Sequence, residues 1–171
     1  MYKILPYTAL FVVVVLLQVF LFDNLSISIY LNPLIYLAFI LLLPMDIRPL
    51  PLLLWGVVVG VVVDHCMGAA GINTIATLPI AFFRPTLLTL LMGRDESREG
   101  GIPSPERLGS TVFWQYLIVT VLIHHTLFFL LEALSWANLL HTLLRIVLSS
   151  ALSVGFIWLI TRIFTSKTAL R

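Results

Sequence analysis

A small set of ionisable side chains falls inside or beside long apolar runs: Asp64, Arg84, His124, His125, Glu132 and Arg145. A charge there is costly unless it is hydrated, paired or hydrogen-bonded. These residue types could bind a metal, line an ion path, hold a polar ligand or simply pair with one another. His124 and His125 are adjacent, so on a helix they point about 100° apart and do not make a two-ligand face. A zinc site prefers i, i+4 spacing or several converging ligands. His65 and His141 near one surface do not supply that pattern, so hydrogen bonding across helices is expected for the histidines. There is no HExxH, no Gly-x-Ser-x-Gly elbow and no phosphate-binding loop. Ser135 lies in no nucleophile motif, and Asp64 has no second carboxylate with which to form a dyad. The expectation is a protein that is not an enzyme, with no metal and no cofactor.

Arg84 is the costliest of these residues. It lies about eight residues, or about 12 Å of helix rise, before Met92. It can snorkel to the headgroups, bending at Pro85, or pair inside a bundle with a carboxylate or with carbonyls freed by Pro79 and Pro85. No acidic residue is expected at its depth, which favours snorkelling or carbonyl contacts. Glu132 and Asp64 are both candidate partners for Arg145. Gln18, Asn32, Asn73 and Thr77 are expected to bond across helices. Cys66, the single cysteine, reads as a small apolar residue at a helix end.

In the run WGVVVGVVVDHCMGAAGINT, Gly56, Gly60, Asp64 and Gly68 recur every fourth residue. That spacing draws a slowly drifting stripe along a helix, and small residues there let another backbone approach closely. The stripe can serve internal packing or dock a partner's helix. Asp64, where this helix emerges, can organise the following turn, form a salt bridge or meet a polar ligand.

The elements that must position these residues are membrane helices. The chain has 171 residues, 60% of them hydrophobic and 11% charged, with a mean hydropathy of +1.08. A soluble domain needs more charge than this. The expected architecture is all-α, a single bundle of about six transmembrane helices. Their spans are 4–22, 27–43, 50–66, 72–92, 111–131 and 139–163. The first, after Lys3, reads as a retained helix, because no small-residue cleavage site follows it. The second is short and is bounded by Asn32-Pro33 and Pro44. The connection 93–110, with adjacent glycines and two prolines, reads as a flexible solvated loop, either a hinge or a contact for a partner.

This arrangement leaves Lys3, Arg48, Arg94, Arg98, Arg107, Arg162, Lys167 and Arg171 on one side. Asp23, Asp64, His65, Glu132 and His141 fall on the other. The excess of Lys and Arg places that first side, with both termini, in the cytoplasm. The net charge of +2 is too small to suggest nucleic acid.

The pattern Gly56-x3-Gly60-x3-Asp64-x3-Gly68-x2-Gly71, followed by Ile80-Ala81-Phe82, resembles the rod shape-determining membrane protein family MreD. Leu17-Gln18 and Asn32-Pro33 fit the same pattern. The resemblance implies a non-enzymatic scaffold of the bacterial inner membrane within the cell-elongation machinery. Its partners would be membrane lipid, the transmembrane helix of MreC, the MreB filament, RodA and a class B transpeptidase. It also implies a fold like the substrate-binding components of energy-coupling-factor transporters. Two other readings stay open at this point. One is the substrate-binding subunit of a vitamin transporter, with Asp64, Glu132, His141 and Arg145 lining a pocket. The other is an enzyme or ion pathway using Asp64, Arg84 and the histidines.

Overall fold

The computed structural model describes residues 4–22, 31–134 and 138–169, and among them the ordered elements are all helical. Helix α1 (Ile4–Leu16) widens into a π-helical turn over Leu17–Phe22. Helix α2 is Leu37–Leu42, α3 is Pro49–Met67 and α4 is Ile72–Met92. Two short helices follow, α5 (Arg94–Arg98) and α6 (Pro105–Leu108). Helices α7 (Ser110–Ala133) and α8 (Leu139–Ala169) complete the order.

Four helices, α3, α4, α7 and α8, are long and apolar enough to cross a membrane. At 1.5 Å per residue they measure roughly 28–46 Å, against a hydrocarbon core of about 30 Å. Their outward faces carry Leu54, Val58, Val61, Phe82, Phe83, Ile123, Leu143 and Val147, all exposed. Their inward faces hold Asp64, Asn73, Thr77, Arg84, His124, His125, Ser149 and Ser153, all buried. An apolar exterior around a polar interior fits a lipid solvent.

Local sequence sets the helix ends. Pro49 opens α3, where a missing N–H costs nothing. Gly68 closes it in the left-handed region at φ +65°, its N–H donating to the Asp64 carbonyl. Gly71, at φ +88°, starts α4 after a short turn, so the two helices are packed antiparallel neighbours.

Two contacts define one end of the bundle. The Tyr7 ring meets Phe164 at 5.6 Å, and Arg162 reaches Glu106 at 3.5 Å. This basic end carries Trp114 stacked on Trp158 at 6.3 Å, with Arg162 over Trp158 at 5.5 Å. Trp55 sits near the start of α3 on the same side. Aromatic and basic groups together are characteristic of a membrane–water interface.

The expected second span, 27–43, differs most from the structure. Residues 27–30 lie outside the described residues, and 31–36 are not helical. Only the 6 residues of α2 are. Residues 33–45 are nevertheless all buried. The segment threads the bundle interior, from the level of Ser149 on α8 to the basic end. There the Met45 N–H donates to the Gly101 carbonyl at 2.9 Å.

The connection 93–110 also departs from expectation. Pro103, Ser104 and Leu108 are buried, and α6 is capped by Ser104, which accepts the Arg107 N–H at 3.3 Å. Hydrogen bonds from its own backbone N–H and from Ser104 hold the Glu106 carboxyl below the usual carboxylate range. The stretch around α5 is solvated as the loop reading supposed, and so are Glu106, Arg107 and Gly109.

Candidate functional site

The glycine stripe is spent inside the molecule. Gly56 and Gly60 face α4, and a Cβ added at Gly60 would lie 2.5 Å from the Thr74 Cα. At Gly56 an added Cβ would meet the Ala81 Cβ at 3.0 Å. Asp64 ends this seam and is 6% exposed. One carboxylate oxygen accepts the Asn73 N–H and Nδ2–H, each at 3.0 Å. The other accepts the Thr74 N–H at 2.9 Å and its hydroxyl at 2.6 Å. Gly71 offers α4 no side-chain cap, so Asp64 supplies from α3 what an N-cap residue supplies locally, with the helix dipole favouring its charge. Gly68 is not part of the packed stripe; it is exposed and serves the turn. Asp64→Ala should therefore cost about 2–3 kcal/mol. Asp64→Asn should cost less, and thermal unfolding in detergent measures both.

Arg84, 1% exposed, points into the bundle rather than towards the headgroups. Its Nε–H donates to the Tyr116 hydroxyl at 2.9 Å, and Nη1 donates to the Pro44 carbonyl at 3.2 Å. Nη2 donates to the carbonyls of Leu41, at 3.3 Å, and Leu43. Tyr116 in turn donates to the Leu41 carbonyl at 3.1 Å. These carbonyls belong to the end of α2, not to the positions freed by Pro79 and Pro85. A helix that stops inside a membrane leaves carbonyls without partners. The guanidinium fork satisfies them and places its charge at the favourable end of the dipole.

The opposite end of the buried segment 31–45 is held by Gln18. Its Oε1 accepts the Ile35 N–H at 2.7 Å and its Nε2 donates to the Pro33 carbonyl at 3.2 Å. Ser149 and Ser153 accept the N–H groups of Asn32 and Leu34, each at 3.0 Å. His125 extends this chain. Its Nδ1 lies 3.0 Å from the Val121 carbonyl and must carry a proton there. In a neutral ring Nε2 then accepts the Ser153 hydroxyl at 2.9 Å. His124 Nε2 lies 2.9 Å from the Tyr36 hydroxyl. Thr77 spends its own proton on the Asn73 carbonyl at 2.7 Å. His124 Nδ1 has no partner among the described residues. A bare lone pair costs less there than an unpaired N–H. This assigns the proton to Nε2, which donates to Tyr36, and Tyr36 donates to Thr77 at 3.3 Å.

Glu132 pairs with Arg145 at 2.7 Å, the first of the two expected pairings, and Arg145 also lies over the Phe129 ring at 4.6 Å. No group of three or more potential metal ligands occurs among the described residues. Cys66 is exposed, and Ser135 lies outside the described residues. Sequence reasoning missed Tyr36, Tyr116, Ser149 and Ser153. The signal for the serines was the four-residue spacing Ser149-x3-Ser153, which puts both hydroxyls on one face of a helix.

One exposed feature remains. A shallow groove of about 660 Å³ runs along α8, lined by Leu148, Ala151, Leu152, Gly155 and Leu159 with Leu31 on its margin. A Cβ added at Gly155 would meet nothing within 4 Å.

Among the described residues these features define an all-helical protein with four membrane-length helices, most of its buried polar side chains bonded to one another or to the buried segment 31–45. No family model, curated protein or solved structure matches the chain.

Proposed function

We propose that the chain is a non-enzymatic membrane scaffold of the bacterial cell-elongation machinery, of the MreD kind. In this reading the chain crosses the inner membrane six times, with the segment 31–45 completing the second crossing. Both termini and the basic end lie in the cytoplasm, and the fold is that of the energy-coupling-factor substrate-binding components. The partner would be the single transmembrane helix of MreC, joining the MreB filament to RodA and a class B transpeptidase.

The groove on α8 is the observation that carries this reading. Gly56 and Gly60 are occupied by α4, so a docking helix needs another small-residue surface. Ala151 and Gly155 offer one, four residues apart on an exposed face. An approaching helix about 10–12 Å wide would gain dispersion contacts there that lipid chains make less well. The polar residues that a vitamin-binding subunit would use are engaged elsewhere, Asp64 at the start of α4 and Glu132 with Arg145.

The first side-chain carbon at Gly155 meets nothing within 4 Å, so Gly155→Leu should fold and melt like the parent. Recovery of MreC in co-purification from native membranes should fall at least about tenfold, equivalent to about 1.4 kcal/mol of lost association. Undiminished recovery would remove the groove from the interface. Failure of the parent protein to bring down any elongation protein would remove the scaffold reading itself.

A further inference from the structure

Residues 31–45 link two regions that also meet through α7, which packs on α8 and follows directly from α6. On one side Ser149 and Ser153 of α8 hold the N–H groups of Asn32 and Leu34. On the other, Met45 donates to the Gly101 carbonyl at the start of the turn that leads into α6. Between them α2 is buried along its whole length and clamped at its two ends by Gln18 and Arg84. The direct link from α8 to this turn is Arg162–Glu106, 3.5 Å between side chains more than half exposed. Pairs of that kind hold little.

We propose that residues 31–45 are a tie-rod: the position of α8, sensed at Ser149 and Ser153, sets the fold of the 100–108 turn at the basic end. The segment is packed and hydrogen-bonded at both ends, so it transmits displacement rather than absorbing it. A movement of α8 that displaces Ser149 and Ser153, from a docked helix or a change in bilayer thickness, then reaches the turn through the centre of the molecule as well as along α7. The inference does not depend on which partner docks.

Hydrogen exchange of the full chain in lipid nanodiscs tests it. The reporters are the amides of Met45, Arg107 and Leu108, each of which donates a hydrogen bond in or to the turn. Ser153→Ala, which frees the buried Leu34 N–H, should raise exchange there about tenfold, and Ser149→Ala, which frees the half-buried Asn32 N–H, should raise it less but measurably. Ser150→Ala is the control: its hydroxyl is buried with no partner among the described residues, and its loss should leave the turn unchanged. Arg162→Gln breaks the direct link from the α8 side, outside the turn, and should change exchange less than about twofold. If an alanine variant fails to fold, Ser153→Thr against Ser153→Val isolates the hydroxyl at nearly constant size, and only the valine should loosen the turn. Unchanged exchange in the serine variants, an equal rise in Ser150→Ala, or a larger effect of Arg162→Gln would each overturn the proposal.

Discussion

Replacing Arg84 with alanine lowers the unfolding free energy by about 3–5 kcal/mol, the range for removing one partner of a buried charged network. The loss is read as a shift of the detergent unfolding midpoint. It is large because the groups left behind cannot move into water. The buried carbonyls of Leu41, Leu43 and Pro44 end α2, and Arg84 donates to all three, with Tyr116 also donating to Leu41 and the Ile47 N–H to Pro44. Exchanging a buried ion pair for apolar residues can be harmless when both partners go, but backbone carbonyls cannot be exchanged. Arg84→Lys restores only part of the loss. An ammonium is a point donor, whereas the guanidinium reaches Tyr116 and three carbonyls at once through a planar fork. Tyr116→Phe, which removes a single hydroxyl, should cost about 1 kcal/mol. An Arg84→Ala protein within about 1 kcal/mol of the parent would show that the end of α2 finds other donors.

Apolar run length located α4 at Ile72–Met92 to the residue, and α3 and α7 to within two residues at either end. A membrane makes run length a strong signal, because a helix is the simplest way to satisfy backbone groups in lipid. At 27–43 the same rule overstated the helix, which the described residues carry only over Leu37–Leu42. Its composition is that of a span, but burial inside protein relaxes the demand for helix, and Gln18, Ser149, Ser153 and Arg84 replace the missing backbone partners. Pro33 and Pro44 were the local warning, since proline withholds an N–H and disfavours helix before it. The burial of Arg84 was not legible. Residues 41–44 and 116 reach it from distant parts of the chain, and no spacing rule connects them. The Glu132–Arg145 pair was legible, because both residues fall at the same end of neighbouring helices. Reading the glycines every fourth residue gave the right seam at Gly56 and Gly60, but it also drew Gly68 into the stripe, although its place after the helix already marked it as a turn residue. Periodicity alone does not tell a helix face from the glycine that ends the helix.

Gly60→Leu should be the most damaging substitution on the α3–α4 seam. Even the first carbon of a side chain there would lie 2.5 Å from the Thr74 Cα, 2.9 Å from its Oγ1 and 3.0 Å from its backbone nitrogen. Two of these are backbone atoms, so the helix itself must move. Overpacking costs about 1–3 kcal/mol where side chains can adjust, and more where backbone must shift. Here the shift carries Asn73 and Thr74 away from Asp64, so the cap of α4 goes too, adding about 2 kcal/mol. A combined loss of roughly 3–5 kcal/mol follows, measurable as a lowered melting temperature in detergent. Gly56→Ala should be milder, since its new carbon meets only the Ala81 Cβ at 3.0 Å. The order Gly60 above Gly56 above Gly155 separates packing from docking. If Gly60→Leu loses a partner, it does so while melting early, whereas Gly155→Leu loses it with an unchanged melt. A Gly60→Leu protein as stable as the parent would mean that α4 does not lie against this face, and the capping role of Asp64 would fall with it.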